Sequence, residues 1–178
     1  MGVLFSALTE WAMGSKQAQM LILGLDASGK TTILNRLKFN TNAVTVPTIG
    51  FNTETIEFGN LKFVAFDIGG QDNIRRLWYH YFDKTDAVVF VVDSADTNRF
   101  YLAKKELHKL MNNPLLSHCP FLIFANKQDL PRAATTSQLT NALDLYSISK
   151  RVQWKVCESV GVSGMGIDDG FSWLSNSV

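Results

Sequence analysis

Cysteine is scarce in this chain: Cys119 and Cys157 lie far apart, and neither stands in a pair with metal-ligand spacing. That excludes a disulfide framework and a zinc cluster, and predicts a cytosolic protein with reduced thiols. Long hydrophobic runs are missing too. The longest wholly apolar one, AVVFVV at 87–92, falls far short of the ~20 residues that a membrane-spanning helix needs. Neither sign of charge dominates: 17 Lys and Arg against 16 Asp and Glu leave a net +1, so no bulk field draws nucleic acid or anionic lipid. The opening MGVLFSALTEW has no positive n-region and no clear cleavage site, so it reads poorly as a secretory signal. Repeats, low-complexity tracts and Pro/Gly/Ser-rich linkers are absent as well. What is present is a 178-residue chain, 46% hydrophobic and 19% charged, which predicts one globular domain with a real core. Character changes only at residues 1–16, expected to form a separate segment ahead of a domain over 17–178.

Short apolar strands alternate with longer amphipathic stretches, which predicts an α/β fold with a mostly parallel sheet. QMLILGL reads as a buried strand, followed by a helix over Lys30 to Phe39. TETIEF and LKFVAFD flank Gly59-Asn60, a plausible two-residue hairpin turn. AVVFVVD and FLIFAN are continuous apolar runs suited to parallel strands covered on both faces, and VQWKVCE is a sixth, weaker strand. Helices are expected near 73–81, 99–111, 136–144 and 166–175. Ligands of such a sheet lie at the carboxyl ends of its strands, so the loops after Leu23, Phe66, Val92, Ala125 and Glu158 become the candidates.

The first of those loops is GLDASGKTT, in the strand-to-helix context that a phosphate-binding P-loop requires. The candidate binding run is Gly24, Leu25, Asp26, Ala27, Ser28, Gly29, Lys30, Thr31 and Thr32. Gly24 and Gly29 let backbone approach phosphate closely, while successive N–H groups and the helix N-terminus supply positive dipoles. Lys30 would reach the β- and γ-phosphates, and the Thr31 hydroxyl would ligate Mg²⁺. A plain glycine-rich turn is the alternative, and the flanking strand and helix argue against it.

A P-loop alone does not separate ATP from GTP. NKQD at 126–129 follows the strand FLIFA. The Asp129 carboxylate can accept both the N1–H and the exocyclic N–H of guanine, with Asn126 bracing the loop and the Lys127 stem lying over the base. Adenine has an acceptor at N1, and a mismatch of that kind supports discrimination on the order of 10⁴ or more. An exposed charged turn is the bland reading of those four letters alone. FDIGGQD at 66–72 ends another strand. Asp67 is placed to hold Mg²⁺ through a water, Gly70 to offer its N–H to a γ-phosphate, and Gln71 to orient an attacking water. In VPTIGF at 46–51, Thr48 is the candidate whose hydroxyl completes the Mg²⁺ shell when γ-phosphate is present.

With GLDASGKT at 24–31, PTIGFN at 47–52, DIGGQD at 67–72, YHYF at 79–82 and NKQDLP at 126–131, the chain resembles the ADP-ribosylation factor (Arf) family of small GTPases along its whole length. The resemblance implies a P-loop GTPase fold: a six-stranded, mostly parallel sheet flanked by helices, with an N-terminal amphipathic helix. It also implies a GTP/GDP- and Mg²⁺-dependent switch that cycles between cytoplasm and Golgi or other endomembranes. Implied partners are an exchange factor, an activating protein supplying an arginine, and coat or trafficking effectors. Met1-Gly2 followed by Ser6 fits N-myristoylation of Gly2. Leu4, Phe5, Leu8, Trp11 and Ala12 share one helical face. One myristoyl chain binds membranes only marginally, so a second anchor is needed. Each large apolar side chain buried contributes roughly 1.5–3 kcal/mol, so Leu4, Phe5, Leu8 and Trp11 can decide between cytosol and bilayer.

In the family the hairpin between the switches slides by two residues and closes the groove holding that helix. The alternation of Ile56 and Phe58 with Thr55 and Glu57 permits a two-residue slip without inverting the faces. Phe51, Phe66 and Tyr81 resemble the family's aromatic effector surface, with core packing as the other reading. Three departures stand out. Position 66 is usually tryptophan, and Arg76 replaces a proline. The guanine loop written Cys-Ala-Thr in the family falls on Val160, Gly161 and Val162. Gly161 can still give a backbone N–H to guanine O6, while the lost polar side chain is expected to loosen the nucleotide and speed exchange. No residue reads as an arginine finger in cis, so intrinsic hydrolysis is expected to be slow, with a partner's arginine adding roughly 10³–10⁵. The competing readings are a GTP-binding recruitment module with negligible hydrolysis and a P-loop kinase, which would need an acceptor pocket and lid.

Overall fold

The computed structural model describes residues 16–39, 51–58, 61–68, 71 and 75–178; at Lys16, Phe39, 51–54 and 61–68 it describes the course of the backbone. Strand β1 (Lys16–Leu23) leads into helix α1 (Lys30–Phe39). Strands β2 (Phe51–Phe58) and β3 (Leu61–Ile68) pair antiparallel. Then follow β4 (Ala87–Asp93), α2 (Phe100–Met111), β5 (Phe121–Asn126), α3 (Thr136–Ala142), β6 (Trp154–Glu158) and α4 (Ile167–Ser177). Among the described residues these strands form one sheet in the order β2-β3-β1-β4-β5-β6, and every pairing but β2 with β3 is parallel.

The two apolar runs seen in the sequence become the centre of the sheet. Every residue of β5 is buried, and so is β4 from Ala87 to Val92. Their side chains alternate between two cores, as strand geometry demands. Val88, Phe90 and Val92 join Leu107, Leu110, Leu139 and Leu143 of α2, α3 and the turn after it. Val89 and Val91 face the other way and meet Ile33 and Leu34 of α1 and Phe171 and Leu174 of α4. Helix ends carry their expected signals. Thr135 and Gln138 form a reciprocal capping box at the start of α3. Asp168 and Asp169 sit in the first turn of α4 and Arg36 and Lys38 in the last turn of α1, each complementing the local dipole.

One expected helix differs. Of the helix predicted over 73–81, Arg75 is helical, with its N–H donating to the Gln71 carbonyl at 2.9 Å, and 73–74 lie outside the described residues. Trp78–Lys84 form a 3₁₀ run instead. Trp78, Tyr79, His80, Tyr81 and Phe82 place ring side chains at successive positions, where α-helix propensity is poor. Burial of Trp78 and Phe82 fixes the segment instead, and the Thr85 hydroxyl closes it by donating to the Tyr81 carbonyl at 2.7 Å. The parallel strands all deliver their carboxyl ends to one edge, where the loops after β1, β4, β5 and β6 meet beside the switch of strand order at β1.

Candidate functional site

After Leu23 the chain turns on Gly24, whose φ is 143° and whose added Cβ would lie 2.2 Å from the Val91 carbonyl oxygen. Gly29 has φ 101°, and a Cβ there would come within 2.3 Å of Asn126 Nδ2. Both glycines are therefore demanded by conformation and by close approach. Between them Ala27 also takes a left-handed φ of 58°, a strain that no residue type in the sequence announces. Asp26 and Ala27 are exposed at the crest of the loop, whereas Leu25 and Ser28 are buried. Ser28 borders a cavity of about 10 Å³ with Val91, Phe100 and Ala103, and its Oγ has no hydrogen-bond partner among the described residues.

Lys30 is only 6% exposed, and its Nζ donates to the carbonyls of Gly24 at 3.0 Å and Leu25 at 2.8 Å. The ammonium is strung across the loop. Helix α1 begins with Ile33 N–H donating to Gly29 O at 3.0 Å, so the N–H groups of Lys30, Thr31 and Thr32 precede its first i→i−4 bond. An ammonium, a helix N-terminus and a loop with three positive-φ residues make a set of donors and positive dipoles, which fits an anion such as phosphate. The Thr31 hydroxyl is a neutral oxygen of the kind Mg²⁺ accepts. Among the described residues no three His, Cys, Asp or Glu gather into a metal site.

The loop after β5 reaches back to this cradle. Asn126, 2% exposed, donates from Nδ2 to the Ser28 carbonyl at 2.8 Å. Its Oδ1 accepts from the Ser159 hydroxyl at 3.1 Å and the Gly161 N–H at 3.0 Å. One side chain thus joins the phosphate loop, the end of β5 and the loop after β6. Lys127 follows with φ 66°, its Nζ bonded to Asp93 Oδ2 at 2.6 Å. Gln128 anchors the turn by donating to the carbonyls of Ala125 and Ala134, which leaves Asp129 exposed at its tip. Gly161 is buried and Val162 exposed, so the backbone of the former and the side chain of the latter border this corner.

Arg99, just ahead of α2, bridges Asp26 and Asp96. Burial pulls its pKa down, but the hydrogen bond to Asp96 and the nearby Asp26 outweigh it and hold the guanidinium above its ordinary value. Asp93 and Arg99 were not among the residues picked from sequence. An acid and an arginine in a polar loop carry no distinctive spacing, and only the β1-β4-β5 order brings them beside the motifs.

The remaining predicted residues are placed as follows. Asp67, next to last in β3, pairs in register with Ile22 of β1 and Asn52 of β2, near the phosphate loop. Gln71 is exposed, and its carbonyl accepts from Arg75 N–H at 2.9 Å. Phe51 and Phe66 lie on the neighbouring strands β2 and β3. Tyr81 is half-buried and packs against the α2 side of the core. Arg76 is exposed. Thr48, Gly70, Gly2, Leu4, Phe5, Leu8 and Trp11 lie outside the described residues.

Residues 4–178 match the ADP-ribosylation factor family. The chain belongs to that family. It is 47% identical over 178 residues to ADP-ribosylation factor 3 of Arabidopsis thaliana, covering 100% of this chain and 97% of the relative. ADP-ribosylation factor 1 of Brassica rapa subsp. pekinensis gives the same figures: 47% identity, 100% of this chain and 97% of that one. Among solved structures, the Arl6 BBS3 small GTPase from Trypanosoma brucei, determined with the nucleotide analogue GppNp, superposes with a TM-score of 0.84. It is 38% identical and covers 91% of this chain and 97% of its own. Membership of the Arf family identifies a small GTPase fold that binds guanine nucleotide, controlled by exchange factors and activating proteins in general. No helix among the described residues is long and apolar enough to cross a membrane.

Proposed function

We propose that this Arf-family chain is a GTP-hydrolysing switch that binds membranes in its GTP state and recruits coat or trafficking effectors. The observation carrying the reading is the Asn126 side chain, which ties the phosphate loop at Ser28 to the Asn126-Lys127-Asp129 loop. Phosphate and base sites are thereby built as one unit. Lys30 and the α1 N-terminus take the β- and γ-phosphates, and Asp129 pairs with the guanine N–H groups. Gly161, whose N–H is held by Asn126, would offer that N–H to guanine O6. Gln71, exposed after β3, orients the attacking water. Thr31, Thr48 and, through a water, Asp67 would hold Mg²⁺, which would supply neutralisation of phosphate charge. The Gly2 acyl chain and the Leu4, Phe5, Leu8 and Trp11 face supply the membrane anchor at endomembranes such as Golgi. Phe51, Phe66 and Tyr81 are offered to effectors.

The tests are direct. GTP and GDP should bind far more tightly than ATP in a fluorescence competition, and Arf-type activating protein should raise turnover by roughly 10³-fold or more. Normal GTP binding without accelerated turnover would favour the recruitment module. Lipidated protein should co-sediment with liposomes when loaded with a non-hydrolysable GTP analogue and remain in solution with GDP; equal binding removes the membrane switch.

A further inference from the structure

Residues 93–99, between β4 and α2, form a polar strut whose two ends grip the two nucleotide loops. At one end Asp93 Oδ2 accepts from Lys127 Nζ at 2.6 Å, while Asp93 Oδ1 accepts from Ala95 N–H at 3.0 Å. Asp96 N–H then donates to the Asp93 carbonyl and Arg99 N–H to the Asp96 carbonyl. At the other end Arg99 Nη1 reaches Asp26 Oδ1 at 3.0 Å. The two grips are unequal. The Asp26 side chain is 54% exposed, so solvent screens its pair with Arg99. The Asp93 side chain is 14% exposed, held by two donors, and bonded at a short charge-assisted distance.

Lys127 itself sits at φ 66°, a left-handed conformation uncommon for a residue with a side chain, so its direction is set by what holds it. The neighbouring backbone is already committed. Asn126 is locked to Ser28 and Gly161, and Leu130 N–H donates to the Lys127 carbonyl at 3.0 Å. The ammonium contact to Asp93 is the feature that fixes where the four-carbon stem runs.

We propose that Asp93 is a positioning residue for the nucleotide base, holding the Lys127 ammonium so that its methylene stem forms a fixed platform for the purine. This rests on the reading that the Asn126-Lys127-Asp129 loop receives guanine. Asp93 touches no nucleotide; it acts through Lys127. Losing one charge-assisted hydrogen bond should accelerate nucleotide release about tenfold.

The experiment loads the full chain with a fluorescent N-methylanthraniloyl GDP and follows its release into excess GDP. Four proteins are compared: wild type, Asp93→Asn, Lys127→Met and the double variant. Asp93→Asn is nearly isosteric and keeps an acceptor for Ala95 N–H. Lys127→Met breaks the same contact from the other side, keeps an apolar stem and leaves β4 untouched. The expected result is about tenfold faster release for each single variant, with Asp93→Asn adding less than about twofold in the Lys127→Met background. A merely structural Asp93 would accelerate release equally in both backgrounds, and that overturns the proposal. So does an unchanged rate for Asp93→Asn in a wild-type chain that retains the labelled GDP. A wild-type chain that fails to retain it removes the guanine reading and this proposal together.

Discussion

Replacing Asn126 by alanine should weaken three loops at once. The side chain is 2% exposed and makes three hydrogen bonds: to Ser28 O at 2.8 Å, from Ser159 Oγ at 3.1 Å and from Gly161 N–H at 3.0 Å. A neutral hydrogen bond contributes roughly 1 kcal/mol net, while a buried group stranded by truncation costs about 1–3 kcal/mol. The three partners then give a loss of roughly 3–5 kcal/mol, at the lower end if water reaches Gly161. Even about 3 kcal/mol shifts the folding equilibrium more than roughly a hundredfold. With a urea dependence of about 2 kcal/mol per molar, the unfolding midpoint should fall by roughly 1.5 M. Asn126→Asp sharpens the argument. It preserves the acceptor for Ser159 and Gly161 but sets an oxygen against the Ser28 carbonyl where an N–H had donated, so it should do no better than alanine despite its matching shape. Urea unfolding followed by tryptophan fluorescence reads both variants, with GDP saturating throughout because ligand affinity itself adds to stability. A midpoint shift below about 0.5 M in both would refute the claim that Asn126 holds these loops together.

Gly170→Ala should lower Tm by roughly 5 °C in calorimetry, because its Cβ would sit 2.7 Å from two carbons of the Phe124 ring in a filled core. Burial, with Asp86 adding, pushes the Cys119 thiol up from 9.0 to about 12. The folded thiol stays neutral where the unfolded one ionises, so its contribution is complete below pH 9 and is lost as pH rises from there toward 12, by up to about 1.4 kcal/mol per unit. Cys119→Ala should flatten that stretch of the stability curve relative to wild type. Asp129→Asn should weaken GTP binding by at least roughly a thousandfold in competition assays and improve binding of xanthosine triphosphate, whose carbonyl replaces the guanine amino group.

What the sequence disclosed and what it withheld divide along a physical line. Local signals survived well: the apolar runs 87–92 and 121–125 became buried central strands, and Lys30–Phe39 became a helix. Gly24 and Gly29 were readable because each needs a positive φ that other residues resist. In the helix expected over 73–81, only the later part departs: from Trp78 the chain runs as a 3₁₀ segment, since successive ring side chains oppose a regular α-helix. Ala27 was unreadable, since its left-handed φ is imposed by the loop around it. The Asn126 tie spans 98 residues and the Arg99 bridge to Asp26 spans 73. Neither separation leaves a trace in local pattern; both follow from β1, β4 and β5 lying side by side.

That adjacency also changes how the departure at Val160, Gly161 and Val162 should be weighed. From sequence alone, the missing polar side chain reads as a weakened base contact and nothing more. In the fold, a Cβ on Gly161 would stand 3.3 Å from Thr32 Cγ2 and 3.4 Å from Ile33 Cγ1, so the loop after β6 lies against the first turn of α1. Its N–H is meanwhile held by Asn126, which also holds Ser28. A guanine oxygen taking that N–H must share it with Asn126, and any shift of the loop is passed to the helix that opens with Lys30 and Thr31. At 3.3–3.4 Å a Cβ there asks its neighbours to give by only a few tenths of an ångström, so position 161 couples the loop after β6 to α1 through close contact rather than through a conformation only glycine adopts. A side chain longer than alanine there would have to displace Thr32 or Ile33 in the first turn of α1.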